Sequence, residues 1–278
     1  MIYDRYAALY DSSGQVRFAL LVAVYLRELL ARHPAPGNRV LDLACGTGTL
    51  AMGLADEGWH VTGLDAAPAM IAQAEAKSVG ATFPGSARFV CGDMRDAARA
   101  LPPAAFDLVT CTYDSLNYML SESDLLACFQ SAADALSPGG LFIGDMNTQH
   151  FLEFEWGTCA VRELEGFVQI EQSHFDPQLA TSTMVLTGFV GDDDEGYERF
   201  DEVHVERAYP MEFVDVLMAR VGLTVEAHYD SFTLSPPGPY TQRIFWVARK
   251  RGAAAADAAP SENGARAAAP LRDSTTTL

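Results

Sequence analysis

Val40-Leu41-Asp42-Leu43-Ala44-Cys45-Gly46-Thr47-Gly48 is the stretch on which the reading of this chain turns. An apolar run reads as a buried parallel strand, ends in an acid and then bends sharply through two glycines. The residues that follow, Thr49 to Glu57, can be helical. Glycine accepts positive φ and lets a ligand lie against the backbone, and a helix start offers unpaired N–H groups. This is the pattern of a nucleotide site. Gly46-x-Gly48-x-x-Ala51 also fits the loose dinucleotide fingerprint, which carries little on its own.

Two further segments narrow the reading. Trp59-His60-Val61-Thr62-Gly63-Leu64-Asp65 reads as the next strand, with Asp65 at its C-terminal end. A carboxylate there can accept hydrogen bonds from both hydroxyls of a ribose. Ala87-Arg88-Phe89-Val90-Cys91-Gly92-Asp93-Met94 is a third strand, closed by Gly-Asp. Taken singly, the glycines could form a tight turn, Asp65 could cap the helix from Pro68, and Asp93 could cap a turn. Together, at the ends of three successive strands, they resemble the class I S-adenosylmethionine (SAM)-dependent methyltransferases. The resemblance implies SAM as cofactor, with Gly46 and Gly48 flanking its methionine part. It also implies that Asp65 holds the ribose, and that Asp93 with the Met94 backbone reads the adenine edge. Tyr6, Asp42, Ala44, Ala66, Met70 and Cys111 complete the expected donor-binding set.

Composition excludes other classes. The 278 residues have room for one large domain or two small ones, and 49% hydrophobic content is ample for a core. A formal charge of −18 repels phosphate backbones, and a nucleic-acid binder shows a basic face, so no nucleic-acid partner is expected. The five cysteines have no Cys-x-x-Cys or Cys/His metal spacing. No metal is expected, and the thiols read as core or pocket-wall residues in a reduced compartment. Met1-Ile2-Tyr3-Asp4 lacks the basic and apolar regions of a signal peptide, and Phe18 to Leu30 is too short and too charged to span a membrane. A cytoplasmic protein with no membrane partner is the expectation.

Strands alternate with helices through Val40–Asp42, Val61–Asp65, Arg88–Cys91, Asp107–Cys111 and Leu141–Asp145, which predicts an α/β fold. The expected architecture is a doubly wound, Rossmann-like seven-stranded sheet with the last strand antiparallel, plus a small inserted antiparallel β lid. Residues 1–37 would form an N-terminal helical segment over the donor site, with a helix across 12–32, and residues 38–158 the SAM-binding core. Residues 159–209, β-rich and joined by polar turns, would form the lid. Residues 210–251 would finish the core, and 252–278, rich in Ala, Gly, Pro, Ser and Thr, would be a disordered tail. An exposed lid sheet could pair across a homodimer.

Methyl transfer from a sulfonium is an in-line displacement, so the absence of a catalytic triad is no objection. Thr110-Cys111-Thr112-Tyr113-Asp114-Ser115-Leu116-Asn117-Tyr118 follows the fourth strand and faces the acceptor in the resembling family. Tyr113 and Tyr118 would wall the pocket; Asp114 or Asn117 would accept a proton or orient an amine, unless Asp114 merely caps the next helix. Tyr113, Asp114 and His174 form the expected catalytic set. Tyr3, Tyr6 and Tyr10 fall on one helical face ahead of the glycine turn. With this segment and the lid, the chain is similar to bacterial small-molecule methyltransferases that include the N,N-dimethyltransferases of aminodeoxysugars. Phe106-Asp107, Asp114-Ser115-Leu116-Asn117-Tyr118, Gly140-Leu141-Phe142 and Glu202-x-His204-x-x-Arg207 carry that likeness. It implies a small-molecule acceptor methylated at nitrogen or oxygen.

Some side chains stay open at this level. His174 and His204 lie in strands, where histidine is commonly a surface or packed residue. Glu202, His204 and Glu206 alternate onto one face, toward solvent or toward the pocket, with Arg207 on the other. The rival readings are an NAD-dependent oxidoreductase using the same glycine turn, and a SAM-binding regulator without an acceptor site.

Overall fold

The computed structural model describes residues 2–156, 159–192 and 194–252. Its main sheet holds β1 (Arg39–Leu43), β2 (His60–Asp65), β3 (Ser86–Cys91), β4 (Phe106–Cys111), β5 (Leu136–Asn147), β10 (Leu223–Asp230) and β11 (Arg243–Lys250). The strand order is β10-β11-β5-β4-β1-β2-β3. β1 pairs in parallel with β2 and β4, and β11 runs antiparallel to both β5 and β10. This is the expected doubly wound seven-stranded sheet with its last strand reversed. The helices are α1 (Val16–Arg32), α2 (Thr49–Asp56), α3 (Pro68–Ser78), α4 (Glu122–Ala135) and α5 (Met211–Arg220).

Strand alternation builds two cores. Val40, Phe245 and Val247 face one side, where Val22, Leu26 and Leu29 of α1 and Leu50 and Leu54 of α2 cover them. Leu41, Leu43 and Trp246 face the other, against Phe129 of α4 and Leu217 of α5. The Trp246 indole donates to Asp215 at 3.0 Å, so its burial leaves no orphan donor. Ser121 caps α4, accepting from the Asp124 amide at 3.1 Å.

Four strands, β6 (Ala160–Leu164), β7 (Phe167–Asp176), β8 (Thr181–Asp192) and β9 (Gly196–Arg207), pair as antiparallel neighbours into a second sheet. Gln169, Gly188 and Phe200 lie in one cross-strand row and Ser173, Met184 and His204 in another. The even-numbered residues of β9 from Phe200 to Glu206 are buried. That answers the open question about Glu202, His204 and Glu206: their face turns inward.

Several expectations are corrected. α1 starts at Val16 rather than at residue 12, because Gly14 (φ +96°) interrupts helical backbone, as Tyr3 (φ +69°) does at the head of the segment. The preceding residues fold as turns around a short 3₁₀ turn, Tyr6–Ala8. The three tyrosines still meet, with Tyr10 edge-on to Tyr3 at 6.0 Å and to Tyr6 at 5.8 Å. β5 starts at Leu136 rather than Leu141, with Ser137-Pro138-Gly139-Gly140 forming an irregularity between the pairs Phe106–Leu136 and Leu108–Leu141. Cys111 and Cys128 are buried, whereas Cys91 and Cys159 are exposed. Cys91 ends the edge strand β3, which no further strand covers. The expected tail lies outside the described residues from 253 onward. Among those described, no helix is long and apolar enough to cross a membrane.

Candidate active site

The carboxyl ends of β1, β2, β3 and β4 open into a cavity of about 380 Å³, where ligands of such sheets lie. Its floor is the turn after β1, where Gly46 (φ +55°) and Gly48 (φ +74°) adopt left-handed backbone. The two glycines do different work. A Cβ on Gly46 would meet nothing within 4 Å, so this position keeps the floor clear. One on Gly48 would sit 2.6 Å from the Phe89 ring and 3.0 Å from Ala74 Cβ, so Gly48 lets α2 start against β3 and α3.

Three acids stand on this edge. Asp42 is only 2% exposed and accepts a hydrogen bond from the Thr110 hydroxyl at 2.7 Å. Burial pushes its carboxyl up to about 7, with Asp65 adding to the rise and Thr110 opposing it. Asp65 accepts from the Gly46 amide and the Ala67 amide, each at 2.8 Å. Burial raises its pKa while those two amides pull it back. Each of its oxygens keeps a lone pair for a hydroxyl. Asp93 caps the turn after β3 through the Arg95 amide at 2.9 Å. The Arg95 guanidinium beside it holds its carboxyl below the usual range.

Asp42, Ala44, Gly46, Asp65, Ala66, Met70, Asp93 and Met94 line the cavity together. Tyr6, Gly48 and Cys111 are not among its lining. Cys111 is buried behind the wall, its thiol 3.9 Å from Met94 Sδ. Tyr6 packs under the lid, where its hydroxyl meets Ser13 at 2.8 Å and donates to Gln169 at 3.0 Å.

The N-terminal segment crosses this cavity as a roof, contributing Tyr3, Tyr10, Asp11 and Gln15 to its wall. Two sets of bonds strap it down. Asp11 accepts from the Thr47 hydroxyl at 2.7 Å and from Lys77 at 2.6 Å. The Glu202 carboxylate accepts the backbone N–H groups of Tyr3, Arg5 and Tyr6 at 2.8, 3.3 and 3.2 Å.

Opposite the acids, the loop after β4 supplies Thr112, Tyr113, Ser115, Tyr118 and Met119. Tyr113 (φ +62°) and Asp114 (φ +53°) hold left-handed backbone, a conformation costing a non-glycine residue about 1–2 kcal/mol. Asp145 of β5 fixes it by accepting both amides, Tyr113 N–H at 2.8 Å and Asp114 N–H at 2.9 Å. Arg243 at the start of β11 pairs with Asp145 and, at 2.9 Å, with the Asp114 carboxylate. Burial pushes Asp145 upward while Arg243 and the amides oppose it; three donors converging on two oxygens make an ionised carboxylate the consistent state. Arg243 also lies 4.5 Å over the Phe18 ring, which stacks on Tyr113 at 4.2 Å. Tyr113 donates its hydroxyl proton to Gln15.

Asp114 therefore caps no helix through its side chain; it faces Arg243 and the lid carboxyl Glu206. Burial and that neighbour push Glu206 well above the usual carboxyl range. His174 is exposed on β7, on the face opposite Gln169 and Phe167, and the structure does not bring it to the cavity. The lid enters instead through His204, whose Nδ1 lies 2.9 Å from the Tyr118 hydroxyl. Sequence reasoning missed Arg243, Lys77, Gln15 and Phe18. The one available signal was an arginine heading the otherwise apolar run Ile244-Phe245-Trp246-Val247.

Residues 40–140 match the family model described as a methyltransferase domain. A putative methyltransferase of Bacillus subtilis (strain 168), YqeM, is 30% identical over 252 residues, covering 90% of this chain and 98% of that protein. A crystal structure of a SAM-dependent methyltransferase from Clostridium acetobutylicum ATCC 824 superposes with a TM-score of 0.77 at 26% identity, covering 91% of this chain and all of the other. The chain belongs to the SAM-dependent methyltransferases. The enzyme is also similar to a dTDP-3-amino-3,6-dideoxy-alpha-D-glucopyranose N,N-dimethyltransferase of Streptomyces fradiae, 26% identical over 226 residues, with 80% of this chain and 82% of that one covered.

Its cofactor is SAM, which displaces the nicotinamide alternative. The residues present suit that donor. Open space lies over Gly46, Asp65 keeps lone pairs for vicinal hydroxyls, and a buried acid, Asp42, stands beside the turn. SAM supplies a methyl group already activated on a sulfonium, which leaves the protein to align, orient and exclude water.

Proposed function

We propose that the enzyme transfers this methyl group to nitrogen or oxygen of a small-molecule acceptor in the cytoplasm. The observation that carries the reading is the strapped roof: Tyr3, Tyr10, Asp11 and Gln15 close the cavity opposite the donor-side acids. A polymer would have to displace that segment from Lys77, Thr47 and Glu202 together. A net charge of −18 disfavours nucleic acid further. The similarity to an enzyme that acts on an amino sugar supports an acceptor of that size.

In this reading Asp65 takes the ribose hydroxyls, Asp93 and the Met94 backbone the adenine edge, and the turn at Gly46 the methionine part, with Asp42, Ala44, Ala66 and Met70 around them. Tyr113 walls the acceptor side. Asp114, turned onto Arg243, fixes the loop. Alignment of donor and acceptor in such an enclosed site can lower the barrier by roughly 7–11 kcal/mol.

The test is incubation with methyl-labelled SAM and fractionated metabolites of low molecular weight, alongside the protein and RNA of the same extract. Label should appear in one or a few small molecules. Label confined to protein or RNA would refute the reading.

A further inference from the structure

One buried group on the lid is unused by the donor site. The His204 side chain is 3% exposed, and its Nε2 has no hydrogen-bond partner. Glu202 Oε2 lies 3.6 Å from that nitrogen, beyond hydrogen-bond distance but near enough to offset the charge the ring gains when Nδ1 takes a proton. On the ring's other side, Nδ1 lies 2.9 Å from Tyr118 Oη, which lies 3.1 Å from Tyr3 Oη. The Tyr3 ring packs on His204 with centroids 5.3 Å apart. Both phenols stand on the cavity wall; His204 does not. A continuous chain thus runs from the cavity to a buried imidazole backed by a carboxylate. The order phenol, imidazole, carboxylate resembles the way a base is oriented behind a nucleophile.

We propose that Tyr3, Tyr118 and His204 form a proton relay that removes the acceptor's proton during methyl transfer, with Glu202 orienting and neutralising the imidazolium. This deepens the small-molecule reading above and rests on it. As the acceptor heteroatom bonds to the methyl carbon, its hydrogen leaves as a proton to the phenol pair. The Tyr118 hydroxyl proton passes to His204 Nδ1, and the electron pair of the breaking carbon–sulfur bond stays on sulfur. The phenols serve as conduits rather than bases, because burial raises Tyr3 and Tyr118 far above the usual tyrosine range. The lid supplies the base, so the relay is complete only while the roof is strapped to Glu202.

The groups around the relay come from three elements. Tyr3 belongs to the N-terminal segment, Tyr118 to the loop after β4, and Glu202 and Glu206 to β9, with Asp114 beyond. Glu206 takes a hydrogen bond from the Asn147 side-chain amide at 2.8 Å, and burial with Asp114 beside it pushes its carboxyl well above the usual range. Glu202 is left as the facing carboxylate. Burial pushes it up, but His204 and the Tyr3 and Tyr6 amides outweigh that and leave it below the usual range.

The decisive variant is His204→Asn, whose amide oxygen can still accept from Tyr118 but cannot take its proton. His204→Asn and Tyr118→Phe should each slow single-turnover transfer of labelled methyl to the small-molecule fraction by about 100-fold or more. The double variant should be no slower than either alone, since parts of one unit are not additive. Calorimetric affinity for SAM should stay within twofold, and the solvent deuterium effect on the wild-type rate should vanish in His204→Asn.

Long-range ¹H–¹⁵N spectra of histidine-labelled protein with S-adenosylhomocysteine added provide an arm that needs no acceptor. They should show His204 protonated at Nε2 and free at Nδ1, with its signals displaced by Tyr118→Phe. Wild-type transfer matched by His204→Asn would overturn the relay and leave the acceptor reading standing. Absence of label from all small molecules would sink the acceptor reading instead. An Nδ1-protonated His204 would overturn the relay in either case.

Discussion

Asp145→Asn isolates the network that holds the acceptor-side loop. The substitution is nearly isosteric at a residue with no exposed surface, so it opens no cavity and its effect is polar. Three donors converge on the wild-type carboxylate: the Arg243 guanidinium, Tyr113 N–H and Asp114 N–H. An asparagine amide offers one acceptor oxygen and an NH₂ group. With its oxygen kept toward Arg243 and Asp114, its NH₂ meets the Tyr113 N–H head-on, and an unsatisfied buried donor costs about 1–3 kcal/mol. Arg243, only 8% exposed, also loses one of its two counter-charges. Breaking a buried ion pair outright costs about 3–5 kcal/mol; because Asp114 remains, about 3–5 kcal/mol covers both effects.

At this chain length such a loss lowers Tm by about 10 °C, from roughly 2–4 °C per kcal/mol. The left-handed Tyr113 and Asp114 would then relax, and Tyr113 would leave its stack on Phe18. The methyl-transfer rate should fall much more than SAM affinity. Urea denaturation, thermal melting and SAM calorimetry on wild type and variant read all three quantities. A Tm within 2 °C of wild type together with an unchanged transfer rate would refute the role given to Asp145.

Four other outcomes are expected. Gly48→Ala should destabilise the fold by about 2 kcal/mol or more, seen by thermal melting, since it combines left-handed strain with overlap on Phe89. Gly46→Ala should cost only about 1–2 kcal/mol of stability yet weaken SAM binding more strongly by calorimetry, because its methyl enters the cavity; equal effects of the two variants on SAM affinity would contradict the division of labour. Asp65→Asn should weaken SAM by about 1–3 kcal/mol, roughly 5- to 150-fold in Kd, and a Kd within twofold would remove Asp65 from the ribose site. Asp42 sets a pH dependence in the SAM-free protein. Its folded-state pKa is raised to about 7, so folding favours its protonated form, and the stability this contributes is complete at low pH and lost as pH rises from about 4 to about 7. Stability by urea denaturation should therefore shift in favour of Asp42→Asn across that window, by at most on the order of 4 kcal/mol; a difference independent of pH would refute this.

Legibility followed the physics of each element. Val40–Leu43, Val61–Leu64 and Leu108–Cys111 are covered on both faces, so they appear as mainly apolar runs, each broken by one polar residue (Asp42, Thr62 and Thr110), and mark themselves. The β-rich lid was visible too, but not which way its strands faced. A strand face of Glu202, His204 and Glu206 looks the same whether it meets water or a polar pocket wall. His174, two strands earlier, was therefore taken for a catalytic group, while the chain bonded to Tyr118 runs through His204. The tyrosine spacing at the N-terminus suggested a helix, yet Tyr3 takes positive φ and its amide is capped by Glu202, 199 residues away.

The sequence by itself determined the parallel sheet, its order of strands and helices, the glycine turn and the acids at the strand ends. Those follow from local rules: apolar periodicity, the steric freedom of glycine and the place where a strand must stop. Tertiary structure alone decided that Arg243 reaches across 98 residues to Asp145, that Lys77 straps the roof through Asp11, and that the lid turns His204 toward Tyr118. Each depends on which distant surfaces meet and on the desolvation of charges at that meeting. Neither quantity exists until the chain has folded.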